Sequence, residues 1–141
     1  MLHSIYKLIF ENLADHRRAN SLAARLRIKR FEIFRSLIRS LPRPISILDV
    51  GGTEEYWANM EFSKEPEVRI VLLNIKKPEV RNQRFENKAG YGRNMQYFRD
   101  NEFDIVFSNS TIEHVGTWTD QQKFARETQR VGKIIYIQTP N

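Results

Sequence analysis

The chain contains no cysteine, which excludes disulfides, thiolate nucleophiles and cysteine zinc sites. Its three histidines, His3, His16 and His114, are scattered and do not form a metal cluster. No long apolar run is present. The N-terminal segment MLHSIYKLIFENLADHRR is broken by Lys7, Glu11 and Asp15, so neither a signal peptide nor a membrane span is expected. A reduced, cytoplasmic setting is the default expectation. Repeats and low-complexity tracts are also absent. Acidic residues are nearly missing from one stretch. Between His16 and Pro44 stand Arg17, Arg18, Arg25, Arg27, Lys29, Arg30, Arg35, Arg39 and Arg43, against Glu32 alone. Local charge of this kind can serve nucleic acid or an anionic membrane surface. It can equally be the solvated face of a helix.

The length of 141 residues fits one domain. Apolar positions near helical spacing predict a short amphipathic helix over Leu2–Leu13 and a longer one over Ser21–Leu41, with Pro42 and Pro44 ending the second. Strands are predicted at Ile45–Val50, Arg69–Asn74, Arg84–Lys88, Phe103–Ser108 and Lys133–Gln138. Helices are predicted at Tyr56–Phe62 and Asp120–Arg130, with Gly132 as a helix C-terminal glycine. The alternation is that of an α/β fold. Residues 1–44 are expected to hold the basic helices, and residues 45–141 a Rossmann-like, doubly wound, mostly parallel sheet.

Val71-Leu72-Leu73 and Ile134-Ile135-Tyr136-Ile137 are apolar without alternation, as expected where both faces of a parallel sheet are covered. The last strand is therefore expected to be central or flanked. Yet the chain stops three residues after Gln138, and an apolar edge is a hazard for association. The expectation is a chain that lacks a piece, or one that completes its sheet with a partner through that strand.

Four loops follow apolar runs, at the carboxyl ends of strands where open α/β sheets bind ligands. In Asp49-Val50-Gly51-Gly52 the glycines let the backbone turn and approach a ligand, and amides at the next helix start can face an anion. The same residues also make an ordinary strand–helix turn. Asn74 ends the second strand, where an acid holds a ribose in dinucleotide folds; an amide can make a similar bond or simply cap a turn. Gly90-Tyr91-Gly92 can flank an adenine, or be surface. In Ser108-Asn109-Ser110-Thr111-Ile112-Glu113-His114, Ser110 and Glu113 fit a capping box. His114 is the candidate general base.

These motifs, ILDVGG, VLLNI, FDIVFSNSTIEHVG and RVGKIIYIQTPN, resemble in order those of the class I S-adenosylmethionine-dependent methyltransferases, in the ubiquinone-biosynthesis-like group. The likeness runs from Ile45 to Asn141. It implies a sheet that ends in a reversed hairpin, of which this chain supplies the strands up to the fifth. It implies that Asp49, Gly51 and Gly52 contact the methionine part of S-adenosylmethionine, and that Asn74, in place of the usual acid, takes the ribose. Ile75 packs on the adenine, Gly90 and Tyr91 flank it, and Ser108 and Asn109 line the methyl-donor end. Thr53 and Glu55 replace later glycines of the family's loop. The implied activity is methyl transfer to an unidentified acceptor, most simply a small molecule, with His114 as base if the acceptor must lose a proton. Two alternatives stay open. One is a non-catalytic methyltransferase-like module acting through a partner. The other is a lipid- or RNA-interacting protein working through Arg17–Arg43. A nicotinamide-binding domain is disfavoured, because no glycine follows Gly52 until Gly90 and the G-x-G-x-x-G fingerprint is absent.

Overall fold

The computed structural model describes residues 22–62, 65–77 and 79–139. The helix expected over Leu2–Leu13, and with it Arg17 and Arg18, lies outside them. The chain divides into two compact units, Met1–Leu41 and Pro42–Asn141.

In the first unit, helix α1 spans Leu22–Arg39. Phe31, Phe34 and Ile38 recur at three and four residues, so they share one face, and all three are buried. The Phe31 and Phe34 rings meet at 5.4 Å. Arg35 Nη1 pairs with Glu32 Oε1 at 2.8 Å. The amides of Ser40 and Leu41 donate to the carbonyls of Leu37 and Ile38, and the prolines that follow prevent a further turn.

The second unit carries β1 (Ile45–Val50), α2 (Glu54–Asn59), β2 (Val68–Asn74), β3 (Phe85–Ala89), β4 (Phe103–Asn109), a 3₁₀ turn (Ile112–His114), α3 (Trp118–Val131) and β5 (Gly132–Gln138). The five strands form one sheet in the order β3-β2-β1-β4-β5, and every pair is parallel. The expected Rossmann-like fold is present. The order reverses at β1, which pairs with β2 on one side and β4 on the other.

Side chains alternate across a strand, and β1 divides its residues accordingly. Leu48 and Val50 join a cluster with Val71, Leu73, Met95, Phe98, Phe103, Val106, Phe124 and Val131. The other face carries aromatic rings: Trp57 lies 5.0 Å from Phe107 and 5.2 Å from Phe62, and Phe107 stacks on Tyr136.

As expected for a chain that supplies the strands up to the fifth, β5 pairs with β4 alone among the described residues and stands at an open edge of the sheet. Its side chains are only partly covered, and Ile135 is exposed. Along its unbroken apolar run, Tyr136 stacks on Phe107 and Ile137 packs against the cluster of Leu48 and Val106. Gly132 caps the carboxyl end of α3 as expected, its amide donating to Thr128 O, with an extended backbone (φ −115°, ψ 142°). A side chain is excluded there because an added Cβ would lie 2.5 Å from Val106 Cγ2.

Two helix starts differ from the sequence reading for one reason, capping by threonine. Thr53 Oγ1 accepts from Tyr56 N at 3.3 Å, so α2 opens at Glu54, not Tyr56. Thr117 and Asp120 form a full capping box, so α3 opens at Trp118, not Asp120.

Residues 90–102, between β3 and β4, contain no helix. Arg130 of α3 holds this segment in place. Its guanidinium donates to the carbonyls of Met95 and Phe98 at 2.9 and 2.8 Å and to Asp100 Oδ1 at 2.9 Å. Glu127 pairs with Arg130 at 2.7 Å and also accepts the amide of Met95. These donors hold the Glu127 carboxyl below its ordinary value, the Arg130 bond first. No helix among the described residues is long and apolar enough to cross a membrane.

Candidate binding cleft

A cleft of about 320 Å³ opens at the carboxyl ends of β1, β2 and β4, lined by Val50, Gly51, Leu73–Ile75, Gly90–Arg93, Ser110, Thr111, His114, Val115 and Phe124. Its volume lies within the range of small-molecule sites. Its position, beside the strand where the order reverses, is where open α/β sheets bind ligands.

The first wall is the glycine loop. Gly51 has φ +89°, a conformation that glycine adopts without cost. Thr111 leans on it closely, so an added Cβ would lie 2.3 Å from Thr111 Oγ1. The Gly51 amide donates to Leu73 O at 2.8 Å. Asn74 Nδ2 donates to Gly52 O at 2.8 Å, and the carbonyl of Asn74 accepts the amide of Gly90 at 2.8 Å. Asn74 thus ties the loops after β1 and β3 to the end of β2. An acid at this position could not donate to Gly52 O, which gives the asparagine a physical reason. Its Oδ1 remains an acceptor.

Asp49 is not part of the wall. Its side chain points to the aromatic face and is buried. Oδ2 accepts from Trp57 Nε1 at 2.7 Å, while Oδ1 has no partner among the described residues. Burial pushes its carboxyl up to about 7, against the lowering effect of the Trp57 bond. Gly52 stands over this carboxylate, and an added Cβ would fall 1.5 Å from Asp49 Oδ2. The Asp49 side chain thus supports the loop from behind, and neither Asp49 nor Gly52 is among the residues that line the cleft.

Ser108 and Asn109 also lie outside the cleft lining. Ser108 is fully buried and donates to Val50 O at 2.9 Å, bracing the ends of β4 and β1. Asn109 Oδ1 accepts from Ser110 Oγ at 3.4 Å. Gly51, Asn74, Ile75, Gly90, Tyr91 and His114 do line the cleft. Ile75 is 66% exposed and free to cover a ligand. The Arg93 guanidinium lies 5.4 Å over the Tyr91 ring and is anchored by Asp120 at 3.2 Å.

The capping box expected from Ser110 and Glu113 does not form. The element is a short 3₁₀ turn with Thr111 at its start and no side-chain cap. Ser110 itself takes φ +54°, and both Glu113 carboxylate oxygens are buried without a partner among the described residues. His114 closes the turn. Its imidazole has no hydrogen-bond partner among the described residues and faces the cleft. No group of residues suited to a metal ion occurs among the described residues.

Sequence reasoning missed Thr111, Val115 and Phe124 as lining residues. Thr111 lay inside a quoted motif. Phe124 reads as an ordinary core position of an amphipathic helix and gives no signal of its own.

The family model described as "Methyltransferase domain" matches residues 48–134. Among solved structures, an S-adenosylmethionine-dependent methyltransferase from Aquifex aeolicus superposes with a TM-score of 0.55 at 17% identity, over 79% of this chain and 65% of its own. The CurJ carbon methyltransferase superposes with a TM-score of 0.62 at 12% identity, over 84% of this chain and 36% of its own. Both likenesses concern the fold. The chain spans less than two thirds of the length of either protein.

Proposed function

The chain belongs to the methyltransferase-domain family, and on that premise we propose that it uses S-adenosylmethionine to methylate a small-molecule acceptor. The observation that carries this reading is the cleft at the strand-order reversal, walled by a left-handed Gly51 and tied together by Asn74. Its chemistry suits that cofactor. Ile75, Tyr91 and Leu73 offer apolar surface to a purine, Asn74 Oδ1 an acceptor for a ribose hydroxyl, and the Gly51 backbone a close approach for the amino-acid part.

The bound cofactor would supply an activated methyl on a sulfonium centre. The chain's own residues bind, orient and exclude water. His114, at the cleft wall without a competing partner, takes the proton of an acceptor that must lose one. Asp49 takes no part in the transfer. It is sealed beneath Gly52 and stabilises the turn through Trp57.

Calorimetric titration with S-adenosylhomocysteine tests the reading. Saturable binding is expected for the native chain. It should be lost in Gly51→Val, because valine resists φ +89° and its Cβ would meet Thr111. No binding to a demonstrably folded chain would overturn the proposal.

A further inference from the structure

Helix α1 carries six basic residues, Arg25, Arg27, Lys29, Arg30, Arg35 and Arg39, against Glu32, and Glu32 is engaged by Arg35. The helix has two apolar stripes. Phe31, Phe34 and Ile38 form the buried one. Leu26 and Ile33, seven residues apart and so on one side of the helix, form a second, and Leu37 continues it four residues on. Among the described residues this second stripe is largely uncovered: Ile33 is 65% and Leu26 46% exposed, while Leu37 is half-buried. By helical geometry Arg25 and Lys29 flank it on one side and Arg30 on the other, and all three side chains are exposed.

From this pairing of an exposed aliphatic stripe with cationic flanks, we propose that α1 seats the protein on an anionic lipid surface. It would lie in the interface plane, with Leu26 and Ile33 in the acyl boundary and Arg25, Lys29 and Arg30 at the headgroups. Interfacial helices combine these two features, because binding strength grows with buried apolar area and with attraction to anionic lipid. The aliphatic residues decide between lipid and RNA. A phosphate backbone attracts the cations but gains little from Leu26 and Ile33, since bases stack on aromatic rings. Membrane seating is independent of methyl transfer and is measured without the cofactor.

The experiment is co-sedimentation of the full chain with phosphatidylcholine vesicles, with and without phosphatidylglycerol. A single-stranded RNA oligomer and sedimentation velocity without lipid serve as comparisons. The expected result is binding to the anionic vesicles that weakens with salt. Ile33→Asp and Lys29→Glu should each reduce it roughly tenfold with the helical signal and melting temperature kept. The native protein's salt and lipid dependence stands as a test even if a variant misfolds. Failure to bind anionic vesicles at low salt overturns the proposal, as does equal binding to neutral vesicles. RNA binding that survives Ile33→Asp but not Lys29→Glu, without vesicle binding, assigns the face to nucleic acid instead. A lipid-independent dimer abolished by Ile33→Asp puts a second copy on the stripe and also overturns it.

Discussion

The loops after β1 and β4 face each other across the cleft but are built on opposite plans. The loop after β1 is fastened from several sides: Asn74 holds Gly52 O, Leu73 O holds the Gly51 amide, Thr53 caps α2, and Asp49 with Trp57 fills the space behind. The loop after β4 keeps its main-chain bonds but leaves side chains unengaged. Its 3₁₀ turn has no side-chain cap, and among the described residues Glu113 has no partner and His114 lines the cleft without a side-chain hydrogen bond. A wall that must hold one fixed molecule gains from rigid shape, whereas a residue that exchanges a proton gains from freedom to reach its acceptor. The contrast fits the proposed division, cofactor recognition at the first loop and acceptor chemistry at the second.

The sharpest way to test the fixed side is pH. The native state keeps a proton on Asp49 that the unfolded chain releases above 3.8. Its contribution to stability is therefore fully present below 3.8, is lost as pH rises towards about 7, and is flat beyond. The span is at most on the order of 4 kcal/mol. Denaturant unfolding across this window should show the decline, and Asp49→Asn should remove it while still accepting from Trp57. A variant with the native slope would show that Asp49 titrates normally. Next is Gly52→Ala, whose methyl would overlap the Asp49 carboxylate. A loss of about 3 kcal/mol in chemical denaturation is expected, and an unchanged midpoint would mean that the loop has slack. Asn74→Asp then sets an acceptor against Gly52 O. It should cost about 2 kcal/mol of S-adenosylhomocysteine affinity by calorimetry, more than Asn74→Ala, an order that a pure ribose contact would not give. Smallest in binding is His114→Gln, on the free side. Cofactor affinity should stay within about threefold while methyl transfer falls roughly a hundredfold. A matching loss in both would collapse the distinction between the loops.

Four of the five strands were legible because each is a compact apolar run bounded by turn residues, whereas β3, FENKA, carries little apolar signal. The unalternating run of β5 pointed to a strand left at an open edge in this chain, which is where it lies. Helix starts were missed where threonine caps lay beyond the apolar periodicity, at Thr53 and Thr117. Within the cleft, Gly51, Ile75 and Tyr91 were legible from their place just past strand ends. Asp49 and Ser108 were not, because alternation turns them inward one or two residues before the strand gives way to the loop. The tie from Asn74 to Gly52 was invisible for another reason. It spans 22 residues and exists only once β1 and β2 lie side by side.

Arg130 gives the segment between β3 and β4 a particular kind of lifetime. Where a crossover helix would carry its own ladder of hydrogen bonds, this stretch borrows its anchors from α3. The Arg130 guanidinium reaches Met95, Phe98 and Asp100 together, Glu127 takes the Met95 amide, and Met95 and Phe98 are packed in the core. The amides of residues 94–101 are therefore expected to exchange with solvent in step with those of α3, and Arg130→Ala should loosen that coupling in hydrogen exchange.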